Sequence, residues 1–229
     1  MNTPQLTSVA QDYIKVVWSL QEWSDQPVST KDLADRLGVG TSTVSETVRR
    51  LVSQGLLDHE RYGAIHLTEL GHRQALEMVR RHRLIETFLV QELGYTWDEV
   101  HDEAEVLEHA VSDLMVDRID TRLGHPTRDP HGDPIPSKDL TYATPEAYTL
   151  AVLEPGARGT VARISDEDPD VLRYFADLGF GLDAHVRIVS RTQAVGVMDI
   201  MWRPALSEVP DQLLTLGLLA ADAVWIVTQ

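Results

Sequence analysis

Residues 28–57 contain two short helical patterns separated by a glycine, and this arrangement constrains the fold more than any other feature of the sequence. Ser29 is typical of a helix N-cap, and the helix that follows it is expected to end at Gly38. A second helix is predicted to begin at Thr41 and to stop before Gly55. Because glycine tolerates the left-handed conformation, Gly38 suits the tight turn between the two helices.

In the segment from 56 to 68, apolar and polar residues alternate on both sides of a turn at Tyr62 and Gly63. This pattern predicts a two-stranded wing. In a winged helix-turn-helix the second helix enters the major groove of DNA with its N-terminus first. Hydroxyl side chains there can contact phosphates and thymine methyl groups, and basic side chains neutralise phosphates. A three-helix domain without a nucleic-acid partner is the alternative, which Glu46 and the near-neutral charge of residues 1–80 favour. The residues predicted to contact DNA are Lys31, Thr41, Ser42, Thr43, Ser45, Glu46, Arg49, Arg50 and Arg61.

The charge of this 229-residue chain, formally −16, is unevenly distributed. Residues 1–80 contain 8 Lys and Arg against 10 Asp and Glu, whereas residues 81–229 contain 12 against 26. The near-neutral first part is compatible with DNA binding, and the acidity downstream favours either cation binding or solubility. The absence of cysteine excludes thiolate metal sites and fits a reducing cytoplasm. Neither a membrane span nor a signal peptide is predicted.

Two further helical patterns carry histidine and carboxylate side chains. On the first, from Glu69 to Gly94, His82 and Glu86 share a face because they are four residues apart. The second is predicted as one helix from Trp97 to about Arg122, and one stripe of it holds His101, Glu105, Glu108 and His109. A separate apolar stripe facing the core consists of Val100, Ala104, Leu107, Val111 and Leu114. The polar stripe predicts either a divalent metal site or a solvated charged face.

After residue 123 the helical patterns give way to a proline-rich segment and then to segments with strand composition. Residues 124–148 contain five prolines and few large apolar side chains, which predicts a loop and linker. Segments rich in β-branched residues then predict strands at 160–164, 186–189 and 224–227, with one helix over 171–178. The fold class is therefore expected to be mainly α with a small β-rich domain.

Four motifs occur in order along the chain: Thr43-Val44-Ser45, HRLIE at 82–86, VHDEAEVLEHAVSD at 100–113 and DPHGDPIP at 129–136. Together they resemble the diphtheria toxin repressor family of metal-dependent regulators, and the resemblance covers nearly the whole chain. The domains that it implies are a winged helix-turn-helix over 1–72, a helical metal-binding and dimerisation domain over 73–140, a linker over 141–149, and an SH3-like (FeoA-like) β-barrel over 150–229.

The resemblance implies two metal sites. One would use His82, Glu86 and His101, completed by oxygen ligands from the stretch 165–168 of the SH3-like domain. Within that stretch Ser165 departs from the Glu of iron-type members, whereas Asp168 can serve as a ligand. The ligands implied for the other site are Asp12, Glu105, Glu108 and His109.

Two of these positions favour manganese. Asp12 and Glu105 stand where iron-type members carry Met and Cys, which looks like the manganese-type members. Mn²⁺ prefers carboxylate and imidazole, whereas sulfur donors suit softer ions. The expected cofactor is therefore Mn²⁺, with Fe²⁺ and Co²⁺ as alternatives. Lys15 departs from the Glu of short manganese-type members, so their closely spaced two-metal site is not expected intact.

The resulting hypothesis is a cytoplasmic, dimeric repressor that binds operator DNA when loaded with Mn²⁺ and controls metal homeostasis. It would have neither a membrane nor a small organic molecule as partner, and it would not be an enzyme. A cation that bridges Asp12 to residues 105–109 would select the DNA-competent domain orientation. The alternatives are an Fe²⁺-dependent regulator of the same family, a binuclear metallohydrolase with a bridging water, and a metal-independent protein-interaction module. No nucleophile or phosphate-cradling loop accompanies the ligands, which disfavours the hydrolase.

Overall fold

The computed structural model describes residues 6–59, 63–205 and 209–229, which form two compact units. The first unit consists of Met1–His82, Glu108–Val111 and Pro136–Thr141. The second unit consists of Arg83–Leu107, Ser112–Ile135 and Tyr142–Gln229. The helices of the described ranges are α1 (Ser8–Glu22), α2 (Thr30–Leu37), α3 (Thr41–Ser53), α4 (Glu69–Leu93), α5 (Val100–Leu107), α6 (Asp113–Arg122), α7 (Pro169–Leu178) and α8 (Leu218–Asp222).

Local signals set the limits of the helix-turn-helix as predicted. Ser29 Oγ accepts a hydrogen bond from Asp32 N at 3.3 Å, and Asp32 Oδ2 accepts one from Ser29 N at 2.9 Å. This reciprocal capping box starts α2. Gly38, with φ of 65°, ends the helix in the left-handed conformation, and α3 begins at Thr41.

The wing and the three N-terminal helices share one hydrophobic core. Strands β1 (Leu57–His59) and β2 (Ile65–Leu67) pair antiparallel, as predicted, although Tyr62 of the expected turn lies outside the described residues. Ile65 N donates to Val28 O at 2.8 Å and so joins β2 to the segment before α2. The side chains at the centre of this core are fully buried and include Ile14, Val17, Leu33, Val44, Val48, Leu51 and Ile65.

The single helix predicted from Trp97 to about Arg122 is wrong: the structure divides it into α5 and α6. Ser112 adopts an extended conformation with ψ of 156° and caps α6 by accepting from Met115 N, so the helix cannot pass through it. Glu108 and His109 consequently lie in a turn after α5. The apolar stripe ends early as well, because Leu114 is 62% exposed.

The C-terminal part of the second unit is an antiparallel six-stranded sheet in the order β3-β8-β4-β5-β6-β7. The strands are β3 (Tyr148–Thr149), β4 (Arg158–Ile164), β5 (His185–Thr192), β6 (Val197–Arg203), β7 (Gln212–Gly217) and β8 (Val224–Thr228). Three of them and α7 agree with the predicted segments, whereas β3, β6 and β7 were not predicted. Phe175, Phe180 and Trp202 pack in sequence through ring contacts at the centre of this domain.

The proline-rich segment between α6 and β3 forms neither helix nor strand, as predicted. Its DPHGDPIP portion is nevertheless largely buried, which is unusual for a linker, because residues 129 and 131–136 are nearly inaccessible to solvent. Across the described ranges, none of the helices has the length and apolarity that crossing a membrane requires.

Candidate metal centres and DNA-binding surface

The first candidate metal centre lies in the first unit and consists of Asp12, Glu108 and His109, here called the Asp12 cluster. Asp12 lies on α1, and the other two residues lie in the turn after α5. His109 Nε2 lies 2.8 Å from Asp12 Oδ1 and 3.6 Å from Glu108 Oε1. One ligand atom from each of the three residues lies within 4.8 Å of the others. Two carboxylates and one imidazole at this spacing are suited to one divalent cation.

Contacts outside the Asp12 cluster orient its ligands. His109 Nδ1 lies 3.0 Å from Gln11 Oε1 and donates to it, which turns Nε2 of the ring toward Asp12. Glu108 is 1% exposed, and its Oε1 accepts from Lys15 Nζ at 2.6 Å. Its Oε2 lies 2.6 Å from His82 Nδ1. Both oxygens of this buried carboxylate therefore have a nitrogen partner.

The surroundings of Glu108 keep it ionised. Burial alone would raise the pKa of its carboxyl group, but His82 and Lys15 lower that pKa below its ordinary value. His82, which the sequence reasoning placed in the other metal site, thus contacts a ligand of the Asp12 cluster.

The second candidate metal centre lies in the second unit and consists of Glu86, His101, His131 and Asp166, here called the Glu86 cluster. His101 Nδ1 lies 3.3 Å from Glu86 Oε1 and 3.1 Å from Asp166 Oδ2. Glu86, His131 and Asp166 each offer one ligand atom within 4.8 Å of the other two. Glu105, one turn after His101 on α5, has Oε1 3.7 Å from His101 Nε2.

The two carboxylates of the Glu86 cluster stabilise positive charge on its histidines. Burial would lower the pKa of His101, but hydrogen bonds to Asp166 and Glu86 raise it to about 10. The same contact with His101 outweighs burial at Asp166 and holds the pKa of its carboxyl group well below the ordinary range. Carboxylates that favour an imidazolium in this way also favour a bound cation.

His131 reaches the cluster from the loop 129–133. Asp129 Oδ1 accepts from the backbone N–H of His131 at 2.8 Å and of Asp133 at 2.9 Å, which closes a tight turn. His131 Nε2 donates to Trp97 O at 2.7 Å, so Nδ1 is the ring nitrogen left for a metal ion. His131 is fully buried, and its Nδ1 has no hydrogen-bond partner.

Ion pairs with two arginines hold the loop 129–133 in place. Arg163 Nε donates to Asp133 Oδ1 at 2.7 Å, and its guanidinium lies 4.3 Å above the Trp225 ring. Arg83 lies 3.6 Å from both Asp129 and Asp133, and it donates to a backbone oxygen at 2.6 Å. Arginine thus lies beside both buried aspartates of the loop, although burial and the charge of Asp133 raise the pKa of Asp129 to about 7.

The stretch 165–168 supplies a carboxylate to the Glu86 cluster, but at Asp166. Asp168 caps α7 by accepting from Asp170 N at 2.9 Å, and it belongs to none of the metal-competent groups among the described residues. Ser165 is buried, and its Oγ accepts from Glu167 N at 3.4 Å. The sequence reasoning assigned no ligand role to His131. A histidine between two aspartates in the motif DPHGDPIP is the sequence signal that could have indicated one.

Most of the side chains predicted to contact DNA are exposed on α2 and α3. Thr41, Ser42, Thr43, Glu46, Arg49 and Arg50 are exposed on α3, Ser45 is partly exposed, and Lys31 is exposed on α2. Ser45 Oγ donates to Thr41 O at 2.8 Å, and Arg49 Nε donates to Ser45 O at 3.1 Å, so both side chains lie along the helix. Arg61 lies outside the described residues.

Three domain families match the sequence. Residues 5–65 match the iron dependent repressor N-terminal DNA binding domain. Residues 68–137 match the iron dependent repressor metal binding and dimerisation domain, and residues 148–225 match the FeoA domain.

A solved structure described as a manganese-dependent transcriptional repressor in complex with manganese is 55% identical, with a TM-score of 0.90 over 96% of this chain and 100% of that one. The iron-dependent repressor IdeR of Mycobacterium leprae (strain TN) is 35% identical over 196 residues, which cover 80% of this chain and 84% of that protein. IdeR of Mycobacterium tuberculosis (strain ATCC 25618 / H37Rv) is 36% identical over 132 residues, and this match spans 57% of that relative's length.

A winged helix-turn-helix, a helical domain with two carboxylate and imidazole clusters, and a FeoA-like sheet define the class of metal-dependent transcriptional repressors. The chain belongs to the diphtheria toxin repressor family. Its relatives are repressors and not enzymes, which removes the metallohydrolase from consideration.

Proposed function

We propose that this protein is a Mn²⁺-activated repressor that binds operator DNA as a dimer and thereby controls metal homeostasis. The donor set of the two clusters carries the proposal: every ligand is a carboxylate or an imidazole, and the chain contains no cysteine. Such hard donors suit Mn²⁺ better than they suit softer ions. The 55% identical structure is described as manganese-dependent and in complex with manganese, which supports the same ion here.

The residues of both clusters fit a divalent cation. In the Glu86 cluster the buried Nδ1 of His131 has no hydrogen-bond partner, and buried polar atoms are normally paired. A cation held by Glu86, His131 and Asp166 would pair it and would relieve the repulsion between two carboxylates. In the Asp12 cluster the ligands would be Asp12, Glu108 and His109, with Glu105 expected from the sequence as a further donor. The bound ion supplies positive charge that fixes these side chains.

The Asp12 cluster links metal to DNA in this proposal. Asp12 lies on α1, whose apolar face packs in the core that also contains α2 and α3. A cation that joins Asp12 to Glu108 and His109 would hold α1 against the turn after α5. If this arrangement is the DNA-competent one, metal shifts the population toward it, and DNA raises the affinity for metal in return.

Dimer formation is proposed through the helical region 69–122. Large apolar side chains on its surface support an interface, since Val106 is 69% exposed, Leu114 62% and Met115 46%. A dimer would double the phosphate contacts and would space two recognition helices for two half-sites. Sedimentation that shows a monomer at micromolar concentration, with and without metal, would contradict this part.

An Fe²⁺-dependent regulator is the second candidate, because the Mycobacterium relatives are iron-dependent repressors. Mn²⁺ lies below Fe²⁺ in the affinity order for most ligand sets. Selection of Mn²⁺ over Fe²⁺ must therefore come from the coordination geometry and from the availability of each ion in the cell. DNA retardation in the presence of Mn²⁺, Fe²⁺, Co²⁺ or Zn²⁺, or of a chelator, tests both candidates. Retardation that needs no metal would overturn the proposal, and a response to Fe²⁺ at far lower free concentration than to Mn²⁺ would favour the second candidate.

The assignment of His131 as a ligand has its own matched control. His131→Gln should remove one class of bound Mn²⁺ in calorimetry, whereas His125→Gln should keep the wild-type stoichiometry. His125 is an exposed histidine that pairs with Asp120 at 2.9 Å and lies outside both clusters. Equal stoichiometry in the two variants would remove His131 from the site.

A further inference from the structure

Lys15 is a buried cation within contact of the Asp12 cluster. It lies on α1, three residues after Asp12, and is only 7% exposed. Lysine is rarely buried unless it is paired, and here its Nζ donates to Glu108 Oε1 at 2.6 Å. The side-chain exposures at this pair are 8% for Lys15 and 0% for Glu108, so water screens it little.

The oxygen that Lys15 contacts is also the one nearest to the other ligands of the cluster. Glu108 Oε1 lies 2.6 Å from Lys15 Nζ and 3.6 Å from His109 Nε2, while Glu108 Oε2 contacts His82. His109 Nε2 in turn lies 2.8 Å from Asp12 Oδ1. A cation held by Asp12, His109 and Glu108 would therefore draw on an oxygen that already accepts from an ammonium group.

We propose that Lys15 is a built-in cation of the Asp12 cluster, which competes with the metal ion for Glu108 and so sets the metal concentration at which the cluster fills. The inference rests on the proposed function, because it requires metal at this cluster. Lys15 would thus tune the affinity of the Asp12 cluster for the metal ion without being a ligand.

The charges of the cluster give the direction of the effect. The two carboxylates of the cluster and the Lys15 ammonium together carry a single negative charge, and a divalent ion then makes this group of charges singly positive. With a neutral residue in place of Lys15, the cluster would be doubly negative before binding and neutral afterwards. Because uncompensated charge in a buried site is costly, Lys15 stabilises the apo cluster and disfavours the loaded one.

Mn²⁺ calorimetry on the full-length chain tests the inference. Asp12→Asn first identifies the binding phase that belongs to the Asp12 cluster. Lys15→Met should then tighten that phase about tenfold or more, since one charge at about 4–6 Å displaces a charge equilibrium by roughly one to three powers of ten. Lys15→Arg retains the charge and should bind Mn²⁺ with wild-type affinity. Lys138→Met removes a charge from an exposed lysine and should also leave the affinity unchanged.

Lys15→Gln covers the case in which Lys15→Met does not fold, because the amide still donates to Glu108 but carries no charge. It should tighten the same phase, and the Mn²⁺ midpoint for DNA retardation should fall by the same factor. Unchanged or weaker binding in a folded neutral variant would overturn the inference and would make Lys15 a support for Glu108. Loss of no phase in Asp12→Asn would instead overturn the metal site itself, so the two failures are distinguishable.

Discussion

Ile164 donates its backbone N–H to the carbonyl oxygen of His131 at 2.9 Å, and this hydrogen bond joins the loop 129–133 to strand β4. Asp166 follows two residues after Ile164 in the chain. The same contact that fixes the loop therefore brings a histidine of the helical region and a carboxylate of the FeoA-like domain into one cluster.

Gly132 allows the close approach, and we predict that Gly132→Ala destabilises the second unit. A Cβ at this position would lie 2.0 Å from Ala162 O, and the backbone has φ of +97°. Overpacking of this kind, with the added strain, should cost about 2 kcal/mol or more in the free energy of unfolding. Denaturant unfolding measures the loss.

Gly181→Ala is the matched control for Gly132→Ala. It lies in the same domain, a Cβ there would meet nothing within 4 Å, and no positive φ opposes it. Its free energy of unfolding should stay within about 0.5 kcal/mol of wild type. Equal stabilities of the two variants would show that the loop is not held against β4 in solution.

The capping box of α2 predicts a pH-dependent contribution to stability. Hydrogen bonds from Ser29 lower the pKa of Asp32 from 3.8, so the ionised form is favoured in the folded state. This stabilisation is present above the unfolded pKa and is lost as pH falls through the lower, folded pKa. Asp32→Asn should therefore cost about 1 kcal/mol at pH 7, typical of a lost cap, and progressively less below about pH 4.

Asp35→Asn is the control, because Asp35 is exposed near the middle of the same helix and is not part of the capping box. Denaturant unfolding of both variants from pH 3 to 7 gives the comparison. A cost for Asp32→Asn that is independent of pH would mean that charge plays no part in the cap.

Arginines and hydroxyl residues of α3 should affect DNA binding differently. Arg49→Ala and Arg50→Ala should weaken binding to all sequences and reduce the slope of log affinity against log salt by about one each. Thr43→Ala or Ser45→Ala should change the sequence preference, because base contacts specify and phosphate contacts position.

Fluorescence anisotropy across salt concentrations and operator variants separates these effects. Arg203→Ala, on an exposed position of β6 in the C-terminal sheet, should leave the salt slope at the wild-type value. An unchanged salt slope in Arg49→Ala together with an altered sequence preference would reverse the roles assigned to these residues.

Metal preference should follow the donor atoms at positions 12 and 105. Asp12→Met combined with Glu105→Cys replaces two carboxylates with sulfur donors, which favour Fe²⁺ or Co²⁺ over Mn²⁺. DNA retardation by the double variant should accordingly respond better to Fe²⁺ or Co²⁺. Asp12→Ala alone should abolish the metal response of DNA binding while the Glu86 cluster still binds metal, because the link to α1 is lost. Retention of the wild-type metal order in the double variant would place selectivity elsewhere.

Local signals in the sequence were sufficient wherever one segment determines its own structure. Ser29 and Gly38 set the limits of α2 because a cap and a left-handed turn involve only neighbouring backbone groups. The strand β6 was not predicted, because burial alternates along it at Met198, Ile200 and Trp202 whereas positions 197 and 201 are also apolar, so the sequence itself does not alternate. The carboxylate and imidazole side chains of the Asp12 cluster can be identified from the sequence alone, without knowledge of their contacts.

Tertiary structure alone decided which ligands meet. Helical periodicity placed Glu108 and His109 on the stripe of His101, but the extended conformation of Ser112 ends that regularity and leaves them in a turn. His131 joins Glu86 and Asp166 only through the docking of its loop on β4, and Lys15 meets Glu108 across 93 positions of sequence. Contacts at such separation depend on how the hydrophobic cores bring segments together, which no local pattern of residues encodes.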